Sequence, residues 1–327
     1  MEATPLIASL RECEPRGTID VVVMRQGPAE LFSGLQHHVN RVIHLRYWEH
    51  GLRRFLCDAI SARSARPYDA AFLSFPAARP AYRMLMALFA ADRRYAHDWG
   101  FWFDRYLSVR SVRVRDVHNV ERNMDLLRAA GIAGDTIDRY LTPDAWRSGD
   151  RDSTRVVVHV GSVKHDGLAA KRWPLEKFAT LCAELRESGF AVTLLSGPDE
   201  YEETAACARA AGDIPIFQAG LAETARFLSS SGAVVANDNG IAHLAAGLGT
   251  PAIAIFGPTP LTFAPWAPDA RALRPSPCPP CFDVRKPEVH CVRNIDFACL
   301  KGDLPVSLVL DAVRVAVSAD RANLSSR

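Results

Sequence analysis

The chain has 327 residues, 48% hydrophobic and 23% charged, which is the balance of an ordinary globular protein with room for two domains. Its formal net charge of +2 gives no ground for expecting a nucleic-acid partner, and none is expected. No apolar run approaches the ~18 residues of a membrane-spanning helix, and the start MEATPLIASLRECEPR lacks a basic-then-apolar leader. A cytoplasmic location is therefore expected, with at most peripheral membrane contact.

Taken in chain order, the runs 19–24, 41–45 and 70–75 predict short strands, and 51–65 predicts a helix. The aromatic stretch HDWGFWFDRY at 97–106 reads as a loop. Helical periodicity returns over 118–130 and stops at Gly131, and the polar segment 144–153 is the expected linker between domains 1–150 and 151–327. The second half predicts strand 155–160, helix 174–188, strand 191–196, helix 200–211, strand 214–218 and helix 223–230. This alternation implies an α/β fold, two doubly wound Rossmann-like domains facing a cleft, with ligands outside the carboxyl ends of the strands.

The run 234–259, VVANDNGIAHLAAGLGTPAIAIFGPT, is the most informative stretch. An apolar strand leads into the turn Asp238-Asn239-Gly240, then the helix 241–248, a strand at 252–256 and the turn Gly257-Pro258-Thr259. A helix starting there aims backbone N–H groups and a positive dipole end at whatever lies above the strand edge, and phosphate is the natural guest. The loops Gly161-Ser162, Gly197-Pro198-Asp199 and Gly220-Leu221 end strands of the same sheet and converge on the same crevice. Lys171, just ahead of the helix that Pro174 begins, can reach a diphosphate there. Each residue also has an ordinary structural use: Asp238 as a helix N-cap, Lys171 in a solvated pair, His243 as a core histidine, Thr259 as a cap.

Eight cysteines in a chain of this class argue against a disulfide framework. Cys13, Cys57, Cys182 and Cys207 are scattered and read as small buried hydrophobes. Cys278, Cys281, Cys291 and Cys299 instead follow C-x2-C-x9-C-x7-C, with His290 adjacent. Four thiolates within one irregular, Pro-rich loop suit a structural zinc or iron ion, the alternative being reduced thiols.

The residues Asp238-Asn239-Gly240, His243-Leu244-Ala245-Ala246, Gly249, Pro251 and Phe256-Gly257-Pro258-Thr259 resemble the signature of glycosyltransferase family nine, whose members include ADP-heptose:lipopolysaccharide heptosyltransferases. Lys171-Arg172-Trp173-Pro174 with Phe178, and the stretch 118–123 followed by Leu126, Leu127 and Gly131, match as well. The resemblance implies a GT-B-like fold with the nucleotide-sugar donor on the C-terminal domain. By position it assigns Ser162, Lys171, Asp199, Asp238, Asn239, Gly240 and His243 to donor binding. Asn239 stands where the family more often has Thr or Ser. In some protein-modifying members a similar cysteine finger holds iron.

The implied reaction is inverting transfer of a heptose or related sugar from an ADP-type donor to a glycan, lipid-linked, protein or small-molecule acceptor, with no catalytic cofactor. The family's base lies in a Gly-Asp turn ahead of the segment matched by 4–11, and this sequence begins inside that helix. The first domain is thus expected to be incomplete, the expected explanation being a start further upstream. Within the chain itself the substitutes are Asp98 and Asp104, beside His97. The competing reading is a catalytically silent nucleotide-sugar-binding homologue acting as an assembly partner. A dehydrogenase is disfavoured because no G-x-G-x-x-G follows a strand.

Overall fold

The computed structural model describes residues 1–62, 67–89, 91–162, 171–274, 278–286 and 289–325. The chain separates into two compact units, Met1–Ile137 and Asp138–Arg327.

The first unit contains α1 (Thr4–Cys13), β1 (Asp20–Val23), α2 (Gln26–Ser33), β2 (Arg41–His44), α3 (Tyr47–Ser61), β3 (Tyr68–Leu73), α4 (Pro80–Leu88), β4 (Ala91–His97), β5 (Val109–Val112) and α5 (Asn119–Ala129). The expected end of α3, at 63–65, lies outside the described residues. All strand pairs are parallel, yet they form two sheets, β1-β2 and β3-β4-β5, in place of one doubly wound sheet. Side chains tie the two together, with the Tyr68 hydroxyl and Arg41 both donating to Asp20 Oδ2, at 2.6 and 2.8 Å. Strand β4 runs into the aromatic stretch as far as His97, so the first residue expected in a loop is paired backbone.

The second unit contains β6 (Asp152–His159), α6 (Leu175–Glu187), β7 (Ala191–Leu195), α7 (Tyr201–Ala210), β8 (Ile216–Phe217), α8 (Leu221–Ser229), β9 (Ser231–Asn237), α9 (Gly240–Leu248), β10 (Ala252–Ile255), β11 (Ala270–Leu273), α10 (Ala298–Lys301) and α11 (Val306–Ser325). The strands form one parallel sheet in the order β11-β10-β9-β6-β7-β8. Read outward from β6, this is the doubly wound order in which the chain reverses direction between β6 and β9. In sheets of this order ligands bind at that switch point, outside the carboxyl ends of the two strands. The uninterrupted Val156, Val157 and Val158 in β6 and Ala233 to Ala236 in β9 are all at most 1% exposed, as strands covered on both faces require.

The segment expected as a linker, 144–153, belongs to the second unit. It includes a 3-10 turn whose Trp146 is buried and the first residues of β6. Helix α11 covers the sheet, and Trp173, 2% exposed, donates from its indole N–H to Leu304 O at 3.2 Å and packs edge-on against Phe178. That anchor holds the lead-in to α6, and with it Lys171, against the sheet.

Candidate functional site

At the switch point two asparagines stitch the strand ends together. Asn237, fully buried at the end of β9, accepts from Trp173 N–H at 2.9 Å and donates to Val160 O at 2.8 Å. Asn239 caps α9: its Oδ1 accepts from Ile241 and Ala242 N–H at 2.9 and 3.4 Å, while its amide nitrogen donates to Gly161 O at 2.9 Å. The capping expected of Asp238 therefore falls to Asn239. Two of the N–H groups expected to face a phosphate are already satisfied by this side chain, which leaves Gly240 as the exposed residue of the first turn.

Asp238 instead pairs with Lys171, Nζ to Oδ2 at 3.1 Å, both side chains about nine-tenths buried (12% and 10% exposed). The Lys171 ammonium also lies 4.0 Å from the centre of the Phe282 ring. Phe282 reaches this position because the cysteine loop docks on the turn after β10, with Cys281 and Phe282 N–H both donating to Pro258 O. A lysine held between a carboxylate and an aromatic face is fixed in place beside the start of α9.

Ser162 is buried beside these groups, and its carbonyl accepts from Arg172, which also binds Glu203 at 2.5 Å. Ser162, Lys171, Asp238, Asn239 and Gly240 are thus brought together. His243 lies further along α9, where its Nδ1 meets the Tyr140 hydroxyl at 2.9 Å. Asp199 is exposed at the end of β7, and the neighbouring Glu200 is the carboxylate that turns inward, onto His159 Nε2 at 3.0 Å. Burial pushes the Glu200 carboxyl up, but the hydrogen bond from His159 and the nearby Arg172 charge outweigh it and hold it below its ordinary value.

Thr259, 1% exposed, caps no helix, and its hydroxyl has no partner among the described residues. In the first unit Asp104 is buried in an ion pair with Arg83 at 3.0 Å, whereas Asp98 is exposed and accepts from Gly100 N–H at 2.9 Å. The residues that sequence reasoning passed over are His159, Glu200, Asn237 and Phe282. His159 and Asn237 left a trace in the sequence, each as a polar residue closing an apolar run of strand.

Cys278, Cys281, Cys291 and Cys299 line one small cavity beside Gly257 and Pro258. Burial and the neighbouring thiols push Cys281 and Cys299 up. Cys291 is held down by backbone N–H groups of Phe297, Ile295, Arg293 and Asn294 that face its sulfur. Among the described residues, no three His, Cys, Asp or Glu side chains are close enough to hold an ion as they stand.

A six-stranded parallel C-terminal sheet with a lysine-carboxylate pair and a capped helix start at its switch point places the chain among the doubly wound α/β proteins. The sequence profile of Glycosyltransferase family 9 (heptosyltransferase) matches residues 84–291, and the chain belongs to that family. It is 31% identical to lipopolysaccharide heptosyltransferase 2 of Escherichia coli K12 over 108 residues, 29% of this chain and 30% of that protein, so the match spans less than a third of that relative. Among solved structures, the E. coli heptosyltransferase WaaC with ADP superimposes with a TM-score of 0.71 at 20% identity, covering 96% of this chain and 95% of that one. A family 9 glycosyltransferase from Veillonella parvula DSM 2008 gives 0.76 at 17% identity, covering 97% and 93%. The fold is accordingly that of the GT-B heptosyltransferases. Among the described residues no helix is long and apolar enough to cross a membrane.

Proposed function

We propose that the protein transfers a heptose, or a closely related sugar, from an ADP-type nucleotide sugar to a glycan, lipid-linked or protein acceptor. The observation that carries this reading is the Lys171–Asp238 pair beside the exposed first turn of α9, at the switch point of the sheet. A diphosphate placed there meets the Lys171 ammonium and the positive end of α9, and both favour the charge that builds up as ADP leaves. The acceptor hydroxyl oxygen forms a bond to the anomeric carbon as the bond from that carbon to the phosphate oxygen breaks. Its electron pair departs with ADP, and the hydroxyl proton passes to a base. Of the two carboxylates considered for that task, Asp104 is occupied by Arg83, which leaves Asp98 as the exposed one. Family membership and the resemblance to an ADP-bound heptosyltransferase support the donor class.

The cysteine loop fits a structural metal by the chemistry of its donors. Four sulfurs border one cavity, two of them (Cys281 and Cys299) have their proton affinity raised by burial and by neighbouring thiols, and one already sits among backbone N–H groups. Cys278, Cys281, Cys291 and Cys299 would hold zinc or iron, and the ion would brace the loop that presents Phe282 to Lys171. The test of the donor reading is transfer from ADP-heptose by the Lys171→Ala and Asp238→Ala proteins. Each is expected to lose at least ~100-fold in turnover while keeping its circular dichroism spectrum. Wild-type turnover in both variants would refute the assignment.

A further inference from the structure

A histidine–carboxylate pair is buried next to the proposed donor pocket, and donor contacts alone give no reason for it. The side chains of His159 and Glu200 are 7% and 16% exposed. Two glycines make room for them: a Cβ on Gly161 would stand 2.1 Å from the Glu200 carboxylate, and one on Gly197 2.8 Å from it. Neither glycine has the positive φ that would demand its freedom, so the space itself is what they supply.

The hydrogen bonds specify where the ring proton resides. Asn239 commits its Oδ1 to the N–H groups of α9, so the group facing His159 Nδ1 at 3.0 Å is its amide nitrogen. An amide nitrogen only donates, which makes Nδ1 an acceptor and places the ring hydrogen on Nε2. Nε2–H then donates to Glu200 Oε2 at 3.0 Å. The opposite tautomer would set two donors against each other at Asn239 and two acceptors against each other at Glu200.

We propose that His159 and Glu200 are positioning residues of the donor site. Glu200 fixes the tautomer of His159; His159 and Gly161 O together take both hydrogens of the Asn239 amide; and Asn239 holds the first turn of α9 at the place where the diphosphate binds. A serine or threonine at 239 could cap the helix but has one hydrogen to give, so the asparagine is what completes the chain of bonds. The inference rests on the donor reading above and extends it to residues that need not touch the donor.

The experiment uses the full chain and ADP alone as the probe, with binding measured by titration calorimetry. Glu200→Ala is expected to weaken ADP about tenfold, the cost of one released charge-assisted bond. Glu200→Gln is expected to stay within about twofold, because its amide oxygen still accepts from Nε2–H. Independently of any variant, the 15N spectrum of labelled histidine in the wild type is expected to show His159 protonated at Nε2 and bare at Nδ1. A folded Glu200→Ala protein that binds ADP as the wild type does, or a His159 proton found on Nδ1, overturns the inference. A wild type that fails to bind ADP overturns the donor reading instead, and the spectrum still reports the tautomer.

Discussion

At the scale of single residues, Gly240 shows why a glycine stands at the mouth of the site. It is exposed, its φ is not positive, and a Cβ there would meet nothing within 4 Å. Neither backbone strain nor internal packing calls for glycine, and on the proposed donor reading the open space is where the ligand approaches the backbone closely. Gly240→Ala is expected to leave the melting temperature unchanged or slightly higher while weakening ADP about tenfold or more, read by thermal unfolding and calorimetry on one preparation. His97 carries a different signature. Burial pushes it down from its ordinary 6.5 to about 4, against the attraction of Asp125. Between those values the unfolded chain takes up a proton that the folded protein refuses, so stability falls as pH drops through the window and does not change on this account above it. The loss amounts to about 3 kcal/mol. His97→Phe should flatten the slope of urea unfolding free energy against pH between 6.5 and 4; an unchanged slope would show that other groups produce it.

At the scale of elements, the proposed donor pocket is a meeting of strand ends and one helix start, with the cysteine loop docked beside it. Asn294, Asp296 and Phe297 adopt left-handed backbone, and such a loop has few ladder bonds of its own to hold it. Protein purified without chelator or nickel resin should carry close to one zinc or iron per chain by elemental analysis. A content near zero would return the four cysteines to ordinary thiols. Phe282→Ala tests the link from this loop to the site: the aromatic face over Lys171 is worth about 0.5–2 kcal/mol, so ADP should weaken by about twofold to thirtyfold. Unaltered affinity would uncouple the loop from the lysine.

At the scale of the whole molecule, every residue assigned to the donor lies in the unit Asp138–Arg327, whose six-stranded sheet and α11 form a core of their own. A fragment of residues 138–327 is therefore expected to bind ADP as the full chain does and to transfer nothing to an acceptor. Loss of ADP affinity in a folded fragment would place part of the donor site in the first unit. The boundary at Ile137/Asp138 follows from packing: Tyr140, Thr142 and Trp146 are buried, and both Tyr140 and Thr142 bond to α9. A polar composition marked 144–153 as a linker, but composition reports solubility and says nothing of which neighbours a segment finds.

The sequence by itself determined the alternation of strands and helices in the second half, the turn at 238–240 and the lysine that would join it, because these depend on periodicity, turn chemistry and helix polarity, all local properties. Tertiary structure alone decided that Asn239 caps α9 and leaves Asp238 to Lys171, that Glu200 turns inward where Asp199 does not, and that the first unit's strands pair as two sheets. Those outcomes hang on which donors and acceptors meet across 40 to 80 residues of chain, as in Glu200 with His159 and Asn239 with His159. No spacing rule encodes such a meeting, since it is settled only when the strand ends are brought to one edge and every buried polar group must find its partner there.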